Sequence, residues 1–119
     1  MCPDPTTPGT VCSRTHPLNF TSTSFRTAAG GIEDGAITLA PCVDFVDQWV
    51  TVSEQEIADA IVSLLHHHSK LVEGAAGCAV AAVRKLAGRL AGKRVAVVCC
   101  GGNIALPVLK HVMDVGTVS

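Results

Sequence analysis

A chain of 119 residues has room for one modest domain and not for a second, and with 48% of its residues apolar it can build a core. Nine Lys and Arg against ten Asp and Glu leave a formal charge of −1, and three Phe, one Trp and no Tyr offer few stacking platforms, which argues against a nucleic-acid partner. No apolar stretch reaches the roughly 18 residues a bilayer-spanning helix takes, so no membrane partner is expected.

Residues 1–30 are rich in Pro, Thr, Ser and Gly and lack sustained periodicity, so they read as a disordered leader ahead of a domain at 31–115. They carry no secretory signal. None of the six cysteines pairs at the two-residue spacing of zinc knuckles, and Cys78 and Cys99 sit in apolar stretches where a free thiol acts as a small hydrophobe. That usage implies a reducing, cytoplasmic setting. Gly30 to Gly35 marks a turn-rich entry. Residues 36–46 then take helical spacing, with Pro41 tolerable only near the first turn. Trp49 to Val52 alternates large and β-branched residues as a short strand does.

Ser53-Glu54-Gln55-Glu56 spells a capping box, in which the Ser53 hydroxyl and the Glu56 carboxylate satisfy each other's exposed N–H groups. Ile57, Ala60, Ile61, Leu64 and Leu65 follow at the spacing of one buried helical face, continuing to about Ser69. His66, His67 and His68 end that helix. Consecutive helical residues point about 100° apart and cannot converge on one ion, so no metal site is expected there.

Leu71 to Gly74 reads as a tight connector, and residues 75–90 as a helix of small residues suited to close packing, broken by Gly88 and Gly92. Val95 to Cys99 is a short β-branched apolar run of the kind that forms a buried strand. It ends in Cys100-Gly101-Gly102-Asn103, and ligands of open α/β sheets bind beyond the carboxyl ends of strands. Ile104 to Met113 suits a last short helix. Helix, strand, helix, helix, strand, helix is an α/β order, yet two short strands make a poor sheet alone, which points to an incomplete α/β fold.

Three segments, Asp47-Gln48-Trp49-Val50-Thr51-Val52-Ser53-Glu54-Gln55-Glu56-Ile57, Leu71-Val72-Glu73-Gly74-Ala75-Ala76-Gly77 and Cys100-Gly101-Gly102-Asn103, resemble pyridoxal-phosphate serine/threonine dehydratases in wording, order and spacing. The similarity runs from about Gly31 to Met113 and corresponds to the carboxyl-terminal part of the dehydratase catalytic domain. The resemblance implies a tryptophan-synthase-β-like fold, pyridoxal 5'-phosphate as cofactor, and loss of water from serine or threonine with release of ammonia and a 2-oxo acid. It further implies that Cys100 faces the pyridine nitrogen, that Gly101 and Gly102 let the backbone pass close to the ring, and that Asn103 ties down the turn or caps the next helix. Glu73 matches an acidic residue near the cofactor pocket and Gly35 a small residue beside the ring.

The family's Ser-Phe-Lys segment, its glycine-rich phosphate loop and its divalent-cation carboxylates have no counterpart here. No catalytic residue is therefore assigned, and this portion is expected to be inactive alone. The competing expectation is a non-catalytic interaction module that pairs with a full-length relative as a homo- or hetero-oligomer, since the missing parts leave apolar surface exposed.

Overall fold

The computed structural model describes Val11, Cys12, Ile37 and residues 39–118, without the side chains of Val11, Cys12, Leu39 and Val43. The described residues fall into two compact units, one ending at Thr51 and one beginning at Val52.

In the first unit, α1 spans Leu39–Phe45. Pro41 is its third residue, in the turn whose N–H groups have no intrahelical acceptor, so the missing donor costs nothing. β1 (Val11–Cys12) pairs antiparallel with β2 (Trp49–Val50), Val11 opposite Val50 and Cys12 opposite Trp49. The strand read at Trp49 thus forms, shorter than its pattern. Its partner comes from the segment read as leader; the remaining residues of that segment and the Gly30–Gly35 turn lie outside the described residues.

The second unit is helical. α2 (Glu54–His68) begins with both halves of the capping box: the Glu56 N–H donates to Ser53 Oγ at 3.2 Å and the Ser53 N–H donates to Glu56 Oε2 at 2.6 Å. At its other end Ser69 takes the left-handed conformation (φ 52°, ψ 35°) and its N–H reaches back to Leu64 and Leu65 carbonyls. That geometry ordinarily selects glycine or asparagine. His66, His67 and His68 are exposed in the last turn, where cationic side chains meet the negative end of the helix dipole.

α3 (Gly74–Lys85) packs along α2 with its small residues inward. Ala76 and Ala81 are buried with Ile57, Ala58, Ala60, Ile61, Val72 and Val112. A Cβ on Gly77 would stand 2.8 Å from Ile61 Cγ1 and 3.0 Å from Ile57 Cγ2, so this face allows the approach that the small-residue run foretells. The long helix read over 75–90 breaks at Leu86 (φ −94°, ψ 7°), not at Gly88, which lies inside the one-turn α4 (Ala87–Leu90). Gly92, at φ 74°, then turns the chain away.

α5 (Leu106–Val115) carries Pro107 in its first turn and buries Val112 against α2. Its exit is clasped to α2 by Asp59, whose Oδ1 accepts from the Thr117 N–H at 2.8 Å, the Thr117 hydroxyl at 3.0 Å and the Gln55 amide at 2.8 Å. Gln55 Nε2 also donates to the Val115 carbonyl at 2.8 Å.

Residues 95–99 depart from the reading. Instead of a buried strand they form an exposed non-helical run, with Val95 at 45% and Val98 at 74% exposure. β-branched composition favours a strand, but a strand needs a neighbouring ladder, and among the described residues none pairs with this run. Cys99, read as a buried hydrophobe, is accordingly exposed.

Candidate functional site

The Cys100–Asn103 turn is built against the connector that leads into α3. Glu73 is the N-cap of α3 in an extended conformation (φ −89°, ψ 174°), yet its side chain makes no cap bond to its own helix. It reaches instead across 30 residues of sequence, and Glu73 Oε2 accepts from the Asn103 N–H at 3.1 Å. In return the Glu73 N–H donates to the Gly101 carbonyl at 3.3 Å.

The two glycines are needed there for different reasons. Gly101 takes φ +90°, which L side chains rarely adopt, and a Cβ on it would fall 2.6 Å from both Cδ and Oε1 of Glu73. Gly102 lies over the Leu71 carbonyl, 3.0 Å from where its Cβ would be. Residues 71–73 are therefore the floor of the turn. The Cys100 side chain is exposed on it.

Cys78, in the second turn of α3, is half-buried; burial pushes its thiol up, and Glu54 and Cys100 add to the effect. The N-cap of α5 is Ala105, with no side-chain cap bond. Of the two roles read for Asn103, capping the next helix is thus ruled out, and its backbone does the tying down of the turn.

The structure therefore brings together five of the six residues singled out from the sequence, Glu73, Cys100, Gly101, Gly102 and Asn103. Gly35 lies outside the described residues. What the sequence reading missed is the Leu71 carbonyl and the bonding between Glu73 and the turn, since nothing local in either segment announces a contact so distant in the chain. Among the described residues no group of three or more His, Cys, Asp or Glu side chains could hold a metal ion, and no helix is long and apolar enough to cross a membrane.

The arrangement presents the Cys100 thiol on a backbone without side chains at the next two positions. Its nearby carboxylate is already engaged by a turn amide.

A sequence profile of the family described as pyridoxal-phosphate dependent enzymes matches residues 6–101. The chain belongs to this family. The match starts upstream of Gly31, where the motif resemblance begins. The chain is also 41% identical over 96 residues to an L-threonine ammonia-lyase of Thermotoga maritima, covering 77% of this chain and 23% of that protein. With an L-threonine ammonia-lyase of Geobacter sulfurreducens it is 40% identical over 97 residues, 78% of this chain and 24% of the relative. It thus spans about a quarter of the length of the curated relatives it matches. No solved structure matches significantly.

The cofactor of this family is pyridoxal phosphate. Family membership and the α2, α3 and α5 helices agree with part of an α/β enzyme fold, although the described strands amount only to the β1–β2 pair.

Proposed function

We propose that this chain is the carboxyl-terminal portion of a cytoplasmic pyridoxal-phosphate L-serine/L-threonine ammonia-lyase, contributing the wall that meets the pyridine ring. When bound, the cofactor supplies the electron sink that loosens bonds at the α-carbon of an amino acid. When the cofactor is bound, the Cys100 thiol would donate a hydrogen bond to the pyridine nitrogen, and Gly101 and Gly102 would leave room for the ring to approach the backbone. Asn103 and Glu73 keep the turn in place. The observation that carries this reading is the meeting of Glu73 with the Cys100–Asn103 turn, two motifs that the dehydratase resemblance singled out separately.

The 119 residues hold no Ser-Phe-Lys segment and no glycine-rich phosphate loop, so turnover needs a complementary portion that brings them. The test is a cofactor footprint. The chain is mixed with an L-threonine ammonia-lyase from which the segment matched by this chain has been removed, and alkylation of Cys100 is followed by mass spectrometry. Pyridoxal phosphate should slow that alkylation and leave Cys42 unaffected. Equal rates at Cys100 with and without the cofactor contradict the assignment.

A second reading, a non-catalytic module that pairs with a full-length relative, is favoured by the exposure of Val95, Val97 and Val98, an apolar run patterned for a sheet. It differs in outcome: the chain would bind the intact relative, and the truncated one would gain no cofactor protection at Cys100.

A further inference from the structure

We propose that Glu73 is a positioning residue, a latch that sets the Cys100–Asn103 turn and with it the place of the Cys100 thiol, and that it acts through the turn and not by touching the cofactor. The cofactor-facing role of the turn rests on the function proposed above; the latch itself is read from geometry.

A carboxylate at a helix N-cap has ready partners in the free N–H groups of its own first turn. Glu73 leaves them and takes the Asn103 N–H at 3.1 Å, while its own N–H holds the Gly101 carbonyl at 3.3 Å. The two bonds run in opposite directions between the same segments, so neither segment can slide without breaking both. The carboxylate also fills the space that a side chain at 101 would need, at 2.6 Å from the Cβ position. Glycine at 101 and glutamate at 73 are therefore one device. With Gly101 held through its carbonyl and Asn103 through its N–H, the path of the backbone leaving Cys100 is fixed from the α3 side. The Glu73 oxygen that faces the turn is spent on an amide.

The latch predicts a particular ordering of variants. Glu73→Ala removes the acceptor; Glu73→Gln keeps an amide oxygen at the same reach; Glu73→Asp keeps the charge but falls short by one methylene. Backbone amide exchange of the full chain, read by NMR, should show the Asn103 N–H exchanging about tenfold faster in Glu73→Ala and in Glu73→Asp, the loss expected for one hydrogen bond. Glu73→Gln should stay close to the parent. The Cys100 13Cβ shift should move in the first two variants and not in the third. If Glu73→Ala fails to fold, Glu73→Asp carries the same test.

An Asn103 exchange rate unchanged in the variants that fold overturns the latch, as does a Gln variant as fast as the Asp one. Cofactor protection of Cys100 is scored separately. A latch seen by exchange without such protection sinks the proposed function and leaves the latch standing.

Discussion

Gly101 shows how much a single position decides. Its φ of +90° and the carboxylate 2.6 Å from its missing Cβ act together, so Gly101→Ala meets both backbone strain and a collision. The variant should lose about 1–2 kcal/mol of stability from the backbone conformation alone, read as a lowered denaturation midpoint with an unchanged denaturant slope. A midpoint equal to the parent's would mean that the turn does not hold this geometry. The doublet at 101 and 102 was legible from composition, because paired glycines ahead of a helix mark a close approach or a positive φ. The partner of that approach was not. Glu73 has the look of an ordinary helix-start carboxylate, and only the fold shows its side chain leaving its own helix for an amide 30 residues away.

Among the elements, α2 was the most legible, because each of its ends is written in local chemistry: a capping box at Ser53–Glu56 and cationic-capable histidines at 66–68. Its C-cap was not foreseen, since serine is an unusual choice for a left-handed residue. Ser69→Gly should therefore stabilise the chain by up to about 1 kcal/mol, the relief of the left-handed strain less the added freedom of the unfolded chain, visible as a higher melting temperature. An unchanged or lower value would argue against the φ of 52°.

Both carboxylates that bind α2 to its neighbours are also pH-sensitive. Burial works against the charge on Glu56, but the Ser53 N–H, the Lys85 ammonium at 3.1 Å and the Ser53 hydroxyl together hold its carboxyl below the ordinary value of 4.5. Burial likewise opposes the charge on Asp59, and the Thr117 N–H, the Gln55 amide, the Thr117 hydroxyl and Arg84 hold it below its ordinary 3.8. A depressed folded value means stability that is present above the unfolded value and lost as pH falls through the folded one. Melting temperature should accordingly decline as pH drops below about 4.5, with a shallower decline in Glu56→Gln and Asp59→Asn. Identical acid profiles for parent and variants would remove these two groups from the account.

For the molecule as a whole, the helices of the α/β reading were recovered among the described residues, and of its two strands only the one at Trp49 forms there. Amphipathic helices bury their faces against one another within a short stretch of chain, as α2 does against α3 and α5. A strand has no such local remedy, because its backbone groups must be matched by another strand. Val95 to Cys99 has the residues of a buried strand and yet 74% exposure at Val98. The same physics explains why membership in the pyridoxal-phosphate dependent enzymes was legible from three short segments while the strand's environment was not: motifs lie along the chain, and sheets are assembled across it.

The most direct test of the central claim is to measure 2-oxo acid released from threonine, in the presence of pyridoxal phosphate, by this chain mixed with an L-threonine ammonia-lyase lacking the matched segment. The account predicts no product from either component alone, product from the mixture, retention of the rate in Cys100→Ser, whose hydroxyl can make the same bond, and a loss of about tenfold in Cys100→Ala, the value of one hydrogen bond. Product from this chain alone, or a mixture in which Cys100→Ala matches the parent, would contradict it.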